Sequence, residues 1–197
     1  MRHVKPETQG LDDILKSLKL GWKLELNLGL KTSYKFVVIF ETLSLAPVQA
    51  ILRLYAIKDS EHRLILSPTD LKDTVEITSE EDALKFVRFF TAPDTHIFFD
   101  LYAIEGLPQQ DNPYHPFGTI PKRLWEKFNL KPVRVYREGT NFVIQRYLVF
   151  YPHQELLFPK RLVAVKEYVT PTGSYSLELQ EEIADGDDIA DIKMPIE

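Results

Sequence analysis

Five histidines and no cysteine set the chemical repertoire of this 197-residue chain. Without cysteine there is no thiolate nucleophile, disulfide framework, thiolate zinc site or iron–sulfur ligand set. No serine stands in a G-x-S-x-G turn, and the eight glycines are scattered singly, so no dinucleotide fingerprint or phosphate loop is present. His96 lies in the run Asp94-Thr95-His96-Ile97-Phe98-Phe99-Asp100, which as a strand puts Asp94, His96 and Asp100 on one face. A rise of ~3.3 Å per residue separates His96 from Asp100 by ~13 Å, so a metal or acid–base site here needs partners from other strands. His3 and His62 read as surface residues, and His153 with Glu155 as part of an exposed turn. Glu80, Glu81 and Asp82 are accounted for by the positive end of a helix dipole. These patterns assign no catalytic residue, metal site or cofactor.

Two other segments offer binding chemistry. The loop 107–118, LPQQDNPYHPFG, is stiffened by proline and carries Tyr114, His115 and Phe117, with Trp125 shortly after. These four are candidate partner- or ligand-binding residues, because a stiffened aromatic loop loses little entropy on binding; the same aromatics would also serve to close a core. Residues 121–166 carry ten Lys and Arg against three Glu, whereas residues 178–191 carry seven acids and no base. Lys122, Arg123, Arg134 and Arg146 are therefore candidate anion-binding residues. The two charge blocks read either as neighbours that neutralise each other or as a basic face for which the acidic tail competes.

The elements that must position these residues follow from periodicity. Leu11, Ile14, Leu15 and Leu18 predict a helix, and WKLELNL at 22–28 alternates as a half-buried strand. Strands are expected at YKFVVIFE (34–41, apolar on both faces), 48–57 and RLILS (63–67). A helix over 80–91 has Ser79 as N-cap and Ala83, Phe86, Val87 and Phe90 as its buried stripe. IFFDLYAI at 97–104 suits a strand, and Thr119 caps a short helix carrying Ile120, Leu124 and Phe128. From 133 onward VRVY, FVIQRYLVFY, LVAVKEYV and SYSLELQE form a meander, with a hairpin turn at TPTG. Residues 185–197 are expected to fray.

Within this order, residues 118–146, GTIPKRLWEKFNLKPVRVYREGTNFVIQR, resemble the AbrB-type swapped-hairpin DNA-binding domains. Ile120, Pro121, Lys122, Leu124, Phe128, Leu130, Val133, Val135, Val143 and Ile144 occupy matching places. The Gly-Asp step usual in that family is absent, and Pro132 runs directly into Val133. The resemblance implies a homodimer that sets Lys122, Arg123 and Arg134 against phosphates.

The expectation for the whole is one α+β domain over residues 1–197. A curved, mainly antiparallel meander would pack against about three helices, in an order that resembles NTF2-like and cystatin-like cones. Trp22, Trp125 and Tyr147 would face its concave side. No stretch reaches the ~18 apolar residues of a membrane span, and a cytoplasmic location is the default. The leading expectation for function is a non-catalytic module that binds a protein partner or a small ligand. A polyanion or nucleic-acid binder using 121–166 comes second, and a metal-dependent or acid–base enzyme third.

Overall fold

A computed structural model describes residues 21–42, 50–92, 103–109, 117–150 and 159–194. The 11–20 helix, His96 with Asp100, Tyr114, His115 and His153 lie outside the described residues. Where the sequence suggests a single meander, the strands divide between two main antiparallel sheets. The first runs in chain order through β1 (Gly21–Leu26), β2 (Lys35–Thr42), β3 (Ala50–Lys58) and β4 (Glu61–Ile65). The second has the order β11-β10-β9-β5, with β8 beside β9 as well. Its strands are β5 (Ala103–Glu105), β8 (Arg134–Glu138), β9 (Asn141–Phe150), β10 (Arg161–Val169) and β11 (Tyr175–Asp185). A short parallel pair, β6 (Leu107–Pro108) and β7 (Thr119–Ile120), lies between β5 and the second helix in the chain. The fold is thus α+β. No curled or closed sheet is found among the described residues, in place of the expected cone.

Helix α1 (Glu80–Thr91) forms where its stripe predicts, and Ala83, Phe86, Val87 and Phe90 are all buried. They enter one apolar cluster with Phe36, Val38, Leu54, Ala56 and Ile65 of the first sheet and Phe142, Ile144 and Val169 of the second. Burying a phenylalanine side chain fully contributes about 1.5–3 kcal/mol, so Phe86 and Phe90 are major ties in this cluster. Val37 and Ile39 are buried on the other face of β2, which explains why that strand reads as apolar on both sides.

The helix starts at a capping box. Ser79 Oγ accepts from the Asp82 N–H at 3.1 Å, and Asp82 Oδ2 accepts from the Ser79 and Thr78 N–H groups and the Thr78 hydroxyl. The Thr78 hydroxyl at 2.6 Å is the main reason the Asp82 carboxyl is held below its ordinary value of 3.8. A carboxylate with a lowered folded pKa stabilises the fold above its unfolded value, and that contribution fades as pH falls through the folded one. Asp82→Ala should therefore cost about 0.5–2 kcal/mol at neutral pH. Urea denaturation should show the gap to the parent narrowing at pH values below 3.8.

Helix α2 (Lys122–Lys127) begins two residues later than its pattern suggests. Thr119 and Ile120 belong to β7, and Pro121 is the N-cap, its carbonyl accepting from Leu124 and Trp125. Pro121 suits this place because it has no N–H to leave unpaired. Ile120, Leu124 and Phe128 nevertheless meet in one apolar cluster with Val149 and Leu162.

The chain end departs most from expectation. Residues 185–194 do not fray: β11 runs to Asp185, a 3-10 turn follows at Gly186–Ile189, and Ile189, Ile192 and Met194 are buried. The acidic residues of this stretch hide an apolar spacing, Ile189-x-x-Ile192-x-Met194, that seats the segment on the α2 cluster. The TPTG turn forms as expected, and Gly173 takes φ +78°. There it docks on the first half of the chain: Asp73 and Ile77 donate their N–H groups to Thr172 and Pro171.

Candidate functional site

The strands β8, β9, β10 and β11 present two different faces. Alternation puts Phe142, Ile144, Arg146, Leu148 and, across the register, Val163, Val165, Glu167 and Val169 on the inner face, toward α1. The opposite face carries Arg134, Gln145, Lys166 and Glu178 in one cross-strand row, with Tyr147 and Ala164 in the next row.

The inner face holds a buried charge network. Arg146 is 4% exposed and Glu167 is fully buried. Arg146 Nε and one terminal nitrogen donate to the two Glu167 oxygens at 2.6 and 2.9 Å. The remaining donors meet the Thr91 hydroxyl at 2.9 Å, the Val87 carbonyl at 3.2 Å and Glu105 at 3.5 Å. Glu105 in turn takes a bidentate pair from Arg88, at 2.8 and 3.1 Å. Two cations and two anions thus close a set that ties α1 to β5, β9 and β10. Burial alone would push the Arg146 guanidinium down, but Glu167 and Glu105 outweigh it and hold the group above its ordinary value.

The Tyr175 hydroxyl donates to Glu167 at 2.8 Å. Burial raises the Tyr175 phenol far above its ordinary value, and the Glu167 carboxylate adds to this. A raised folded pKa means that the contribution to stability is complete below the unfolded value near 10 and declines as pH rises past it. In an alkaline absorbance titration, Tyr175 should ionise only as the chain unfolds. Tyr175→Phe should then leave the signal that precedes unfolding unchanged; a smaller signal would contradict this environment.

The outer face holds a groove of about 260 Å³, lined by Lys131, Pro132, Arg134, Gln145, Arg146, Tyr147, Ala164, Val165 and Gln180. Its floor is low because Ala164 stands between Tyr147 and β11. The β10–β11 register steps between Ala164 and Val165, pairing them with Glu181 and Leu179. Gln180 is the extra residue of that bulge and lines the groove. Tyr147 is braced: its hydroxyl accepts from the Lys131 N–H at 3.2 Å, and Trp125 meets its ring edge-to-face at 6.0 Å. Among the described residues, the side chains of Arg134, Gln145 and Gln180 have no hydrogen-bond or ion-pair partner within the chain. A second cavity of about 300 Å³ lies at Lys31–Ser33 and Asp73–Glu76. Its polar groups serve one another, Lys31 with Glu76 at 2.6 Å and the Thr32 hydroxyl with the Thr74 carbonyl at 2.6 Å.

The expected site residues separate accordingly. Arg134 lines the groove and Trp125 supports it from behind. Phe117 packs against the α2 cluster, its backbone bridged to Lys193. Lys122 faces Glu126 at 3.7 Å, and Arg123 pairs with Asp191. Lys127 meets Asp188 at 2.7 Å, so the acidic end lies on the basic helix as a neighbour. Arg146 leaves the anion-binding set, because every donor it has is already engaged inside the core. Glu105 and Glu167 were not singled out by residue type. Their signal is phase: Arg146 and Glu167 each stand in register with the apolar face of a strand, where an unpaired charge would be prohibitive.

Among the described residues, no group of three His, Asp or Glu side chains could hold a metal ion, and no helix is long and apolar enough to cross a membrane. Segment 118–146 does fold as strand, helix and two strands, but its hairpin is built into the five-stranded sheet. Compared with protein-family models, with curated proteins and with solved structures, the chain matches none.

Proposed function

We propose that the protein is a non-catalytic binding module whose ligand site is the groove on the outer face of the five-stranded sheet. The observation that carries this reading is that Arg134, Gln145 and Gln180 converge on one groove with their polar groups uncommitted. On the same face, Lys166 and Glu178 are by contrast held by Glu138 and the Tyr168 hydroxyl. The lining contains no histidine and no carboxylate, which favours recognition over acid–base chemistry near neutral pH. The reading needs no cone: the low floor at Ala164 and the bulge at Gln180 make the concavity locally.

The polyanion reading has less behind it. Arg123, Lys127 and Arg161 are met by Asp191, Asp188 and Glu182, so the basic segment does not present a continuous track of uncommitted cations.

Melting curves with a library of small polar compounds test the proposal, run on the parent and on Ala164→Phe, which fills the floor. A ligand at about a hundred times its Kd stabilises by ~2.7 kcal/mol, or about 5–10 °C for a chain of this size. Compounds should raise the melting temperature of the parent and leave the variant unmoved. Hits that stabilise both chains equally would remove the groove from the argument.

A further inference from the structure

The groove also carries information about its ligand. Resting on the reading of the groove as the binding site, we propose that it takes a small molecule with one anionic group, a carboxylate or a phosphate, joined to a short apolar body. The charge is one-sided: the lining has the cations Lys131, Arg134 and Arg146 and no anion. Of these, Arg146 is spent on Glu167 and Lys131 donates to Asn129, which leaves Arg134 uncommitted. Nearby carboxylates are turned to other work. Glu138 pairs with Lys166 at 3.4 Å, and Glu178 accepts from the Tyr168 hydroxyl at 3.3 Å. The β-bulge puts Gln180, not its acidic neighbour Glu181, into the lining.

Arg134 offers a planar fork that matches two oxygens of a carboxylate or phosphate. The Gln145 and Gln180 amides can donate to an oxygen the fork leaves over. The apolar part has its own place on the Tyr147 ring, the Ala164 methyl and Pro132. Trp125 holds that ring from behind at 6.0 Å, so the platform exists before the ligand arrives.

Size points to a small ligand. The groove's volume of about 260 Å³ lies below the ~300–1,000 Å³ of sites for drug-sized ligands. A polyanion does not fit the charge layout either. The next cation along the row, Lys166, is already held by Glu138 and stacked on the Tyr168 ring at 4.9 Å. One anionic group is what the groove can neutralise.

Benzoate, phenyl phosphate and the neutral benzamide serve as probes, titrated into the full chain while backbone amide NMR signals are followed. Benzoate or phenyl phosphate should shift the amides of Gln145, Tyr147, Ala164 and Gln180, and the stronger of the two identifies the anionic group. Arg134→Ala should weaken that binding at least about tenfold, while Lys35→Ala, an exposed cation of the other sheet, should not. Arg134→Gln provides the same readout if the alanine variant is poorly folded. Benzamide binding as tightly as benzoate, or binding that survives both Arg134 variants, would overturn the anionic class and leave the groove as a ligand site. If no probe, charged or neutral, moves the groove amides at millimolar concentration, the class and the site fail together.

Discussion

Arg146→Ala should destabilise the fold by about 3–5 kcal/mol, because it strands Glu167 as a buried charge without a counter-ion, while Glu105 keeps only Arg88. Domains are stable by only ~5–15 kcal/mol, so this one substitution removes a large part of the margin. The loss is not the net worth of the ion pair. Taking three charged groups out of water, with Arg88 still partly exposed, opposes folding, and their mutual attraction largely offsets that cost. The pair should therefore be replaceable as a unit: Arg146→Met with Glu167→Leu should recover most of the stability, although Tyr175 and Thr91 lose a partner. Urea denaturation of the parent, the single and the double variant measures both claims. A single variant that unfolds at the parental midpoint would show that water reaches the network, contrary to the full burial of Glu167.

Removing residues 186–197 should be more damaging still. Ile189, Ile192 and Met194 are buried against Leu124, Leu130, Val149 and Leu162, and truncating one such side chain to alanine typically costs ~2–5 kcal/mol. Losing three at once approaches the whole stability of a domain, so the shortened chain should show no cooperative unfolding transition by circular dichroism. Ile189→Ala alone should cost about 2–5 kcal/mol and remain folded. The charges of the same segment should matter far less. Asp188 and Asp191 are 61% and 45% exposed in their pairs with Lys127 and Arg123, and exposed pairs contribute ~0–1 kcal/mol each. Asp188→Asn with Asp191→Asn should thus be close to neutral. If the charge variants destabilise as much as Ile189→Ala, the segment is held by its ion pairs and not by its apolar side.

That contrast shows where the sequence could be read and where it misled. The helix at Glu80–Thr91 was legible to the residue, because the cap, acidic first turn and apolar stripe all act within four residues of one another. The strands from Arg134 to Asp185 were legible for the same reason, as was the turn that needs Gly173. The chain end reads as a frayed tail because four aspartates dominate residues 185–194 while three apolar residues decide its position. Gly118 was invisible in a loop defined by proline. It takes φ +71°, and an added Cβ would lie 2.5 Å from the Glu105 carbonyl oxygen, a clash set by a segment thirteen residues earlier.

The candidate site divides along the same line. Arg134 was singled out from the sequence as a cation in a basic segment, but nothing local tells an uncommitted cation from one already paired. Arg123 and Arg146 have the same residue type and opposite fates, one against Asp191 and one against Glu167. The sequence by itself determined the α+β class, the identity of most strands and the helix at Glu80–Thr91, and the absence of cysteine chemistry, since periodicity, caps and composition are local properties. Only the tertiary structure decided that the strands form two sheets, that the acidic end closes the α2 cluster, and that Gln180 enters a groove with Arg134. Those outcomes depend on register between strands far apart in the chain, and a one-residue step at Ala164 changes which side chain faces the groove.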